Sequence, residues 1–168
     1  MATENRTESK STRSKPAARG NSSTVKDVMT ANPKTVTEKD TVQEVARLMR
    51  DHDTGVIPVV AEKGRKVVGV ITDRDIVTRL VADGKDAKTS KVSEAMTRKV
   101  HSVRESDPLN KVFQLMSDQQ IRRVTVINES SELVGIISLA DVANETEKDG
   151  QLAKTVENIS EPGSQKKR

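Results

Sequence analysis

Val68-Gly69-Val70-Ile71-Thr72-Asp73-Arg74-Asp75-Ile76 and Val134-Gly135-Ile136-Ile137-Ser138-Leu139-Ala140-Asp141-Val142 are one pattern written twice, 66 residues apart. Each is a short apolar run holding a glycine, then a hydroxyl, then a carboxylate three residues on. Upstream the repetition continues without a gap: Val25 to Val60 lies over Val92 to Ile127 at an offset of 67, and eleven of those 36 positions are identical. Composition alone would give about one identity in fifteen. The chain is an internal duplication, and the fold has to be read as two copies of one unit.

The chain has 168 residues, no cysteine and a single aromatic, Phe113, so its core must be aliphatic and of modest size. No apolar run approaches the roughly 18 residues of a membrane span, and the N-terminus has no apolar signal core, which makes a cytoplasmic location the default and a membrane role unsupported. The formal charge of +4 sits at the ends: residues 1–24 carry five basic and two acidic groups, and residues 161–168 three and one. These Ser, Thr, Gly and Pro-rich ends cannot bury enough apolar area to order themselves, so they read as basic tails rather than a folded nucleic-acid face.

Within each copy Ser23 or Thr24, and Ser90 in the second, can cap a short helical turn. Asp40 is placed to cap a helix with Val42, Val45, Ala46 and Met49 on one face, and Leu109, Val112, Phe113 and Met116 repeat that spacing behind Asp107-Pro108. Two strands follow, Val56 to Ala61 and Val67 to Thr72, with Arg123 to Ile127 and Leu133 to Ser138 as counterparts. Apolar residues at consecutive strand positions imply sheets covered on both faces, one by the repeat's own helices and the other by its twin. A second helix, with Ile76, Val77, Leu80 and Val81 on one face, closes at Gly84. The expected division is a tail over 1–24, a first repeat over 25–84, a linker over 85–91, a second repeat over 92–146, and a helix (Gln151 to Ile159) with its tail in 147–168.

A duplicated β-α-β-β-α unit with a Val-x-x-Val-Met start and Gly-x-x-Thr/Ser-x-x-Asp at the last strand-to-helix junction resembles the CBS domain family. The resemblance covers Val25 to Asn144. It implies an α/β (α+β) fold in which two tandem CBS repeats pack sheet to sheet with pseudo-twofold symmetry, a tandem pair or Bateman module. It also implies two clefts, each able to hold an adenosine-containing ligand of the AMP, ADP or ATP class, and a homodimer that regulates an effector protein not contained in this chain. No cofactor is obligatory in such a module.

Thr72 and Ser138 stand where an apolar strand turns into a helix, so a hydroxyl and unpaired backbone N–H groups converge at a positive dipole end suited to phosphate. Asp75 and Asp141 lie on the first helical turn, and a short carboxylate can accept both hydroxyls of a ribose. The same pattern is equally a capping box, in which hydroxyl and carboxylate satisfy only the helix-end N–H groups. With no Tyr or Trp, a base would rest between aliphatic side chains and be read by backbone groups, which in similar domains come from Pro33 to Val36, including Thr35 and Val36, and from Val100 to Val103, including Ser102. Ile57-Pro58 and Val124-Thr125 form the other wall. Arg74 opposes the helix dipole and needs an anion nearby, a phosphate or its neighbours Asp73 and Asp75. Arg123 resembles the phosphate-contacting arginine of adenylate-sensing relatives, where the first repeat has Val56, so the cleft with Ser138, Asp141 and Arg123 is expected to be the better phosphate site; a solvated strand-edge arginine is the alternative. His101, like Lys34 in the first copy, could reach a phosphate from the rim.

Two separated histidines and no cysteine give no zinc-type site. Gly64-x-x-x-x-Gly69 is followed by Val70 rather than Lys-Ser/Thr, and no nucleophile elbow appears, so an enzyme is not expected. Two readings follow: a nucleotide-sensing regulatory module, or a ligand-free homodimeric scaffold whose tails contact protein or nucleic acid.

Overall fold

The computed structural model describes residues 23–146. In chain order these form α1 (Val25–Val28), β1 (Thr30–Ala31), α2 (Val42–Asp51), β2 (Val56–Val60), β3 (Val67–Thr72), α3 (Asp73–Ile76) running into a π-helical segment (Val77–Val81), α4 (Val92–Ala95), β4 (Ser102–Arg104), α5 (Leu109–Gln119), β5 (Arg123–Ile127), β6 (Leu133–Ser138) and α6 (Leu139–Thr146). The helix foreseen at Gln151 to Ile159 lies outside the described residues.

The duplication is structural as well as textual. One sheet has the order β1-β6-β5-β4, with β5 and β6 antiparallel and β4 parallel to β5. The other is the β2-β3 hairpin, flanked by two isolated bridges, Val36 to Val59 in parallel and Val70 to Thr97 antiparallel. Those bridges stand where β4 and β1 stand in the first sheet. Both repeats therefore share one topology and one register, down to the pairing of Val56 with Thr72 and of Arg123 with Ser138.

The leading turns are exchanged between the repeats. Val25 of α1 packs with Leu109, Val112, Phe113, Met116 and Ile137, whereas Val92, Ala95 and Met96 pack with Val42, Val45, Ile57 and Ile71. A helix of four residues leaves its first N–H groups without an internal acceptor. Here the opposite repeat supplies them: Val25 N–H donates to Asp107 O (2.9 Å) and Lys26 N–H to Glu105 O (3.0 Å), while Val92 N–H donates to Asp40 O (2.9 Å) and Ser93 N–H to Glu38 O (3.1 Å). The strand glycines complete the exchange. A Cβ built on Gly69 would lie 2.3 Å from the Met96 methyl, and one on Gly135 would lie 2.4 Å from Met29 Sδ, so each glycine is the floor on which the other repeat's methionine rests.

The helices depart from the sequence reading at three points, the first being that Lys91, next to the helix, and not Ser90 stands at the N-cap of α4. Thr41, not Asp40, caps α2: its hydroxyl accepts from Glu44 N–H, while Asp40 instead accepts from Thr37 N–H (2.6 Å) and tightens the preceding turn. A hydroxyl one residue nearer the helix wins because it reaches the third N–H without bending the chain. In the second helix only Leu80 is fully buried; Val77 and Val81 are 57% and 64% exposed. The helix widens there to i→i+5 bonding, seen in Ala82 N–H to Val77 O (3.0 Å), and the extra residue per turn rotates Val77 and Val81 off the face that a 3.6-residue period assigns them. Gly84 closes the segment at φ +66°, as its position implied.

Candidate functional site

Because α4 is delivered to β3, the loop that follows it, Lys99 to His101, is carried over the Thr72–Asp75 junction of the other repeat. This loop, the junction and the start of β5 enclose a cavity of about 370 Å³. Its apolar lining comes from both repeats: Val56 and Val70 from the first, Val100, Val124 and Ile136 from the second. Thr72, Arg74, Asp75, His101 and Arg123 all line it. Arg123, expected beside Ser138 and Asp141, pairs with Ser138 in the strand register and also lines the cavity of Thr72 and Asp75, because the exchange brings β5 of one repeat against the junction of the other.

The remaining candidates stand elsewhere. Ser138 and Asp141 form the twin junction and are not on this cavity's wall. Val36, Ile57 and Pro58 are buried, Thr35 is half-buried, and Ser102 shares a 2.6 Å hydrogen bond with the Thr125 hydroxyl. Of the base-binding walls suggested by the family, Val100-His101 and Val124-Thr125 reach the cavity, and Thr35-Val36 and Ile57-Pro58 do not.

Both junctions are capping boxes. Asp75 Oδ2 accepts from Thr72 N–H (3.0 Å) and Thr72 Oγ1 (2.7 Å), and Thr72 Oγ1 accepts from Asp75 N–H (3.1 Å). Asp141 and Ser138 repeat this at 2.8, 2.7 and 3.2 Å. Capping does not close the site at Asp75, since its Thr72 turn engages only Oδ2 and the cavity beside it is open. Asp75 Oδ1 meets Arg79 Nη2 at 3.2 Å and the Thr97 hydroxyl at 3.4 Å.

The cations decide the character of the cavity. Arg50, Arg79, Arg98 and Arg104 each meet a carboxylate. Among the described residues, the side chains of Arg74, Lys99, Arg122 and Arg123 meet none, and all four line this cavity. Asp73, the anion proposed as Arg74's neighbour, accepts the Arg74 backbone N–H (2.7 Å) and lies close against Gly55, so it balances the cluster only in part. Lys99 and Arg122 were not singled out from sequence. Comparison of the two copies holds the signal, for their equivalents are Asn32 and Gly55, uncharged residues where the second copy has acquired cations. Among the described residues no group of three or more His, Asp or Glu is placed to hold a metal, and no helix is long and apolar enough to cross a membrane.

The CBS domain model of this protein family matches twice, over residues 25–82 and 92–148. The chain belongs to the CBS domain family. As a tandem CBS pair it is 43% identical over 121 residues to the CBS domain-containing protein YhcV of Bacillus subtilis, spanning 72% of this chain and 84% of that one. The CBS domain pair of protein MJ0100, solved in complex with 5′-methylthioadenosine and S-adenosyl-L-methionine, superimposes with a TM-score of 0.67 at 30% identity, covering 75% of this chain and 97% of that one. CBSX2, solved in complex with AMP, gives 0.64 at 26%, covering 74% and 96%.

Proposed function

We propose that this CBS pair is a regulatory module that binds an adenosine nucleotide of the AMP, ADP or ATP class in the cavity beside Asp75, and signals occupancy to a partner protein as a homodimer. The observation that carries the reading is the set of four cations without a carboxylate partner, Arg74, Lys99, Arg122 and Arg123, around a cavity that also carries the polar Thr72–Asp75 turn and an apolar wall. Like charges gathered in one concave site repel, and a polyanion entering among them relieves that repulsion. A cavity of about 370 Å³ falls in the usual range for small-ligand sites. The phosphate lies against the four cations and His101, the ribose against the Thr72–Asp75 turn, and the base between Val56, Val70, Val100, Val124 and Ile136. Relatives of the same fold hold AMP and sulfur-containing adenosines, which supports the adenosine part of the assignment.

Lacking Trp and Tyr, the chain absorbs little at 280 nm, so a nucleotide that co-purifies dominates the ultraviolet spectrum. Calorimetric titration with AMP, ADP, ATP, S-adenosylmethionine and NAD tests the proposal. Saturable heat with at least one phosphorylated adenosine is expected. Nucleotides that give no heat, with partner binding lost on deleting the tails, would replace this reading with that of a ligand-free scaffold.

A further inference from the structure

The two carboxylates at the heart of the duplicated junctions are not in the same state. An ionised carboxylate offers about four lone-pair sites. At Asp75 both oxygens are engaged: Oδ2 accepts twice from Thr72, and Oδ1 accepts from the Thr97 hydroxyl and is ion-paired with Arg79 Nη2. The Oδ1 partners are themselves linked, as Arg79 Nη2 also donates to Thr97 Oγ1 at 3.1 Å. At Asp141 the Oδ2 pair is the same, yet among the described residues nothing donates to Oδ1. The equivalent of Arg79 is Glu145, a carboxylate that accepts from the Ser23 hydroxyl (2.8 Å), and the equivalent of Thr97 is Thr30, which is exposed.

We infer that Arg79 and Thr97 form a latch on Asp75 that a ribose diol must open. Resting on the nucleotide reading above, the latch makes them positioning residues that set the affinity of that cleft. A sugar hydroxyl gains Asp75 Oδ1 only by displacing one of them, and the Thr97 contact, the longer at 3.4 Å, is the first to yield. Displacement has a route outward. The Arg79 guanidinium also donates to Ala95 O (2.5 Å) and Met96 O (3.0 Å), the last carbonyls of the exchanged turn α4. Arg79 itself sits on the π-helical segment between the exposed Val77 and Val81. An opened latch therefore loosens the tie between α4 and the one apolar surface step on this helix. Asp141 carries no latch, so its cleft can accept a sugar without moving anything equivalent.

The test uses adenosine, which has the diol without the phosphate, alongside AMP, in calorimetric titrations of the full chain and three variants. Thr97→Val keeps the shape and removes one arm of the latch; its affinity for adenosine is expected to rise about fivefold, the order of one weak, long hydrogen bond. Arg79→Met removes the other arm and should raise adenosine affinity about tenfold while weakening α4 packing, so its melting temperature is measured with it. Asp75→Asn reports whether the cleft is used at all. A Thr97→Val affinity equal to or below that of the parent, with Asp75→Asn abolishing binding, overturns the latch and leaves the nucleotide reading standing. Adenosine and AMP inert towards parent and Thr97→Val alike overturn both. Arg79→Met is needed only to rank the arms, since Thr97→Val leaves the main-chain bridge between Thr97 and Val70 intact.

Discussion

The cleft at Asp75 and its twin at Asp141 share strands, register, capping box and strand glycine, and differ in what surrounds them. Around Asp75 stand Arg74, Lys99, Arg122 and Arg123; their counterparts in the other copy are the uncharged Ala140, Asn32, Gly55 and Val56, and the counterpart of His101 is Lys34. Identical backbone geometry can thus serve two chemistries. The scaffold of a duplicated module is held by the residues that both copies keep, and its ligand preference is set by those that diverge.

The comparison breaks most sharply if the cations are removed. Replacing Arg122 and Arg123 together by Ala is expected to weaken AMP by about 3 kcal/mol, roughly 100-fold, at a rate of one to two charge-assisted hydrogen bonds, while adenosine binding changes little. Equal losses for AMP and adenosine would mean that the arginines act through the fold and not on the phosphate.

Equivalence of the two scaffolds has its own test. Gly69→Val and Gly135→Val should each destabilise the protein by about 2 kcal/mol, because the added side chain meets Met96 in one case and Met29 in the other and a filled core has no room to yield. Thermal unfolding of the two variants should give similar losses. A large difference would show that one exchanged turn carries more of the fold than the other.

Charge can also be transplanted. Ala140→Arg places a cation in the first turn behind Ser138, beside Asp141, and should add a second, weaker phosphate site, raising AMP stoichiometry with an affinity gain at that site of about tenfold. Stoichiometry that stays at its parental value would mean that the second groove is shut for reasons of shape.

Acid should affect both halves through the carboxyls at their helix starts, and this is the smallest effect. The Asp27 carboxyl is held below its ordinary value by hydrogen bonds from the Thr24 hydroxyl and N–H, and Glu44 in the same way by Thr41. Burial works to raise Asp107, but the Lys111 ammonium and the Arg104 N–H outweigh it, leaving it lowered too. A carboxyl whose folded value is depressed contributes stability above its unfolded value and loses it as pH falls through the folded one. With reference values of 3.8 and 4.5, melting temperature should hold steady above about pH 5 and decline below it. Thr24→Ala should flatten part of that decline.

The strands and the principal helices were legible because their signals are local. Leu109, Val112, Phe113 and Met116 have helical spacing and are all buried, and β5 and β6 end where the apolar runs end. The exchange of leading turns was not legible, since Met29 and Met96 look alike in sequence whichever repeat they dock on, and only through-space contact with Gly135 and Gly69 separates the two arrangements. That one missing fact hid the place of Arg123 on the cavity of Thr72 and Asp75. The widened turn at Val77–Val81 escaped for a different reason: a 3.6-residue period has no way to register an inserted residue.

Each half of this chain wears the first turn of the other. A half on its own would have an empty groove beneath its strand glycine and a short helix with nothing to lean on, and a second copy of itself would supply both. Joining two halves through one covalent link turns that encounter from a bimolecular event into an intramolecular one, at an effective concentration of about millimolar for a short connection. Covalent joining removes the dependence on abundance, and it leaves the two surfaces free to carry different charges.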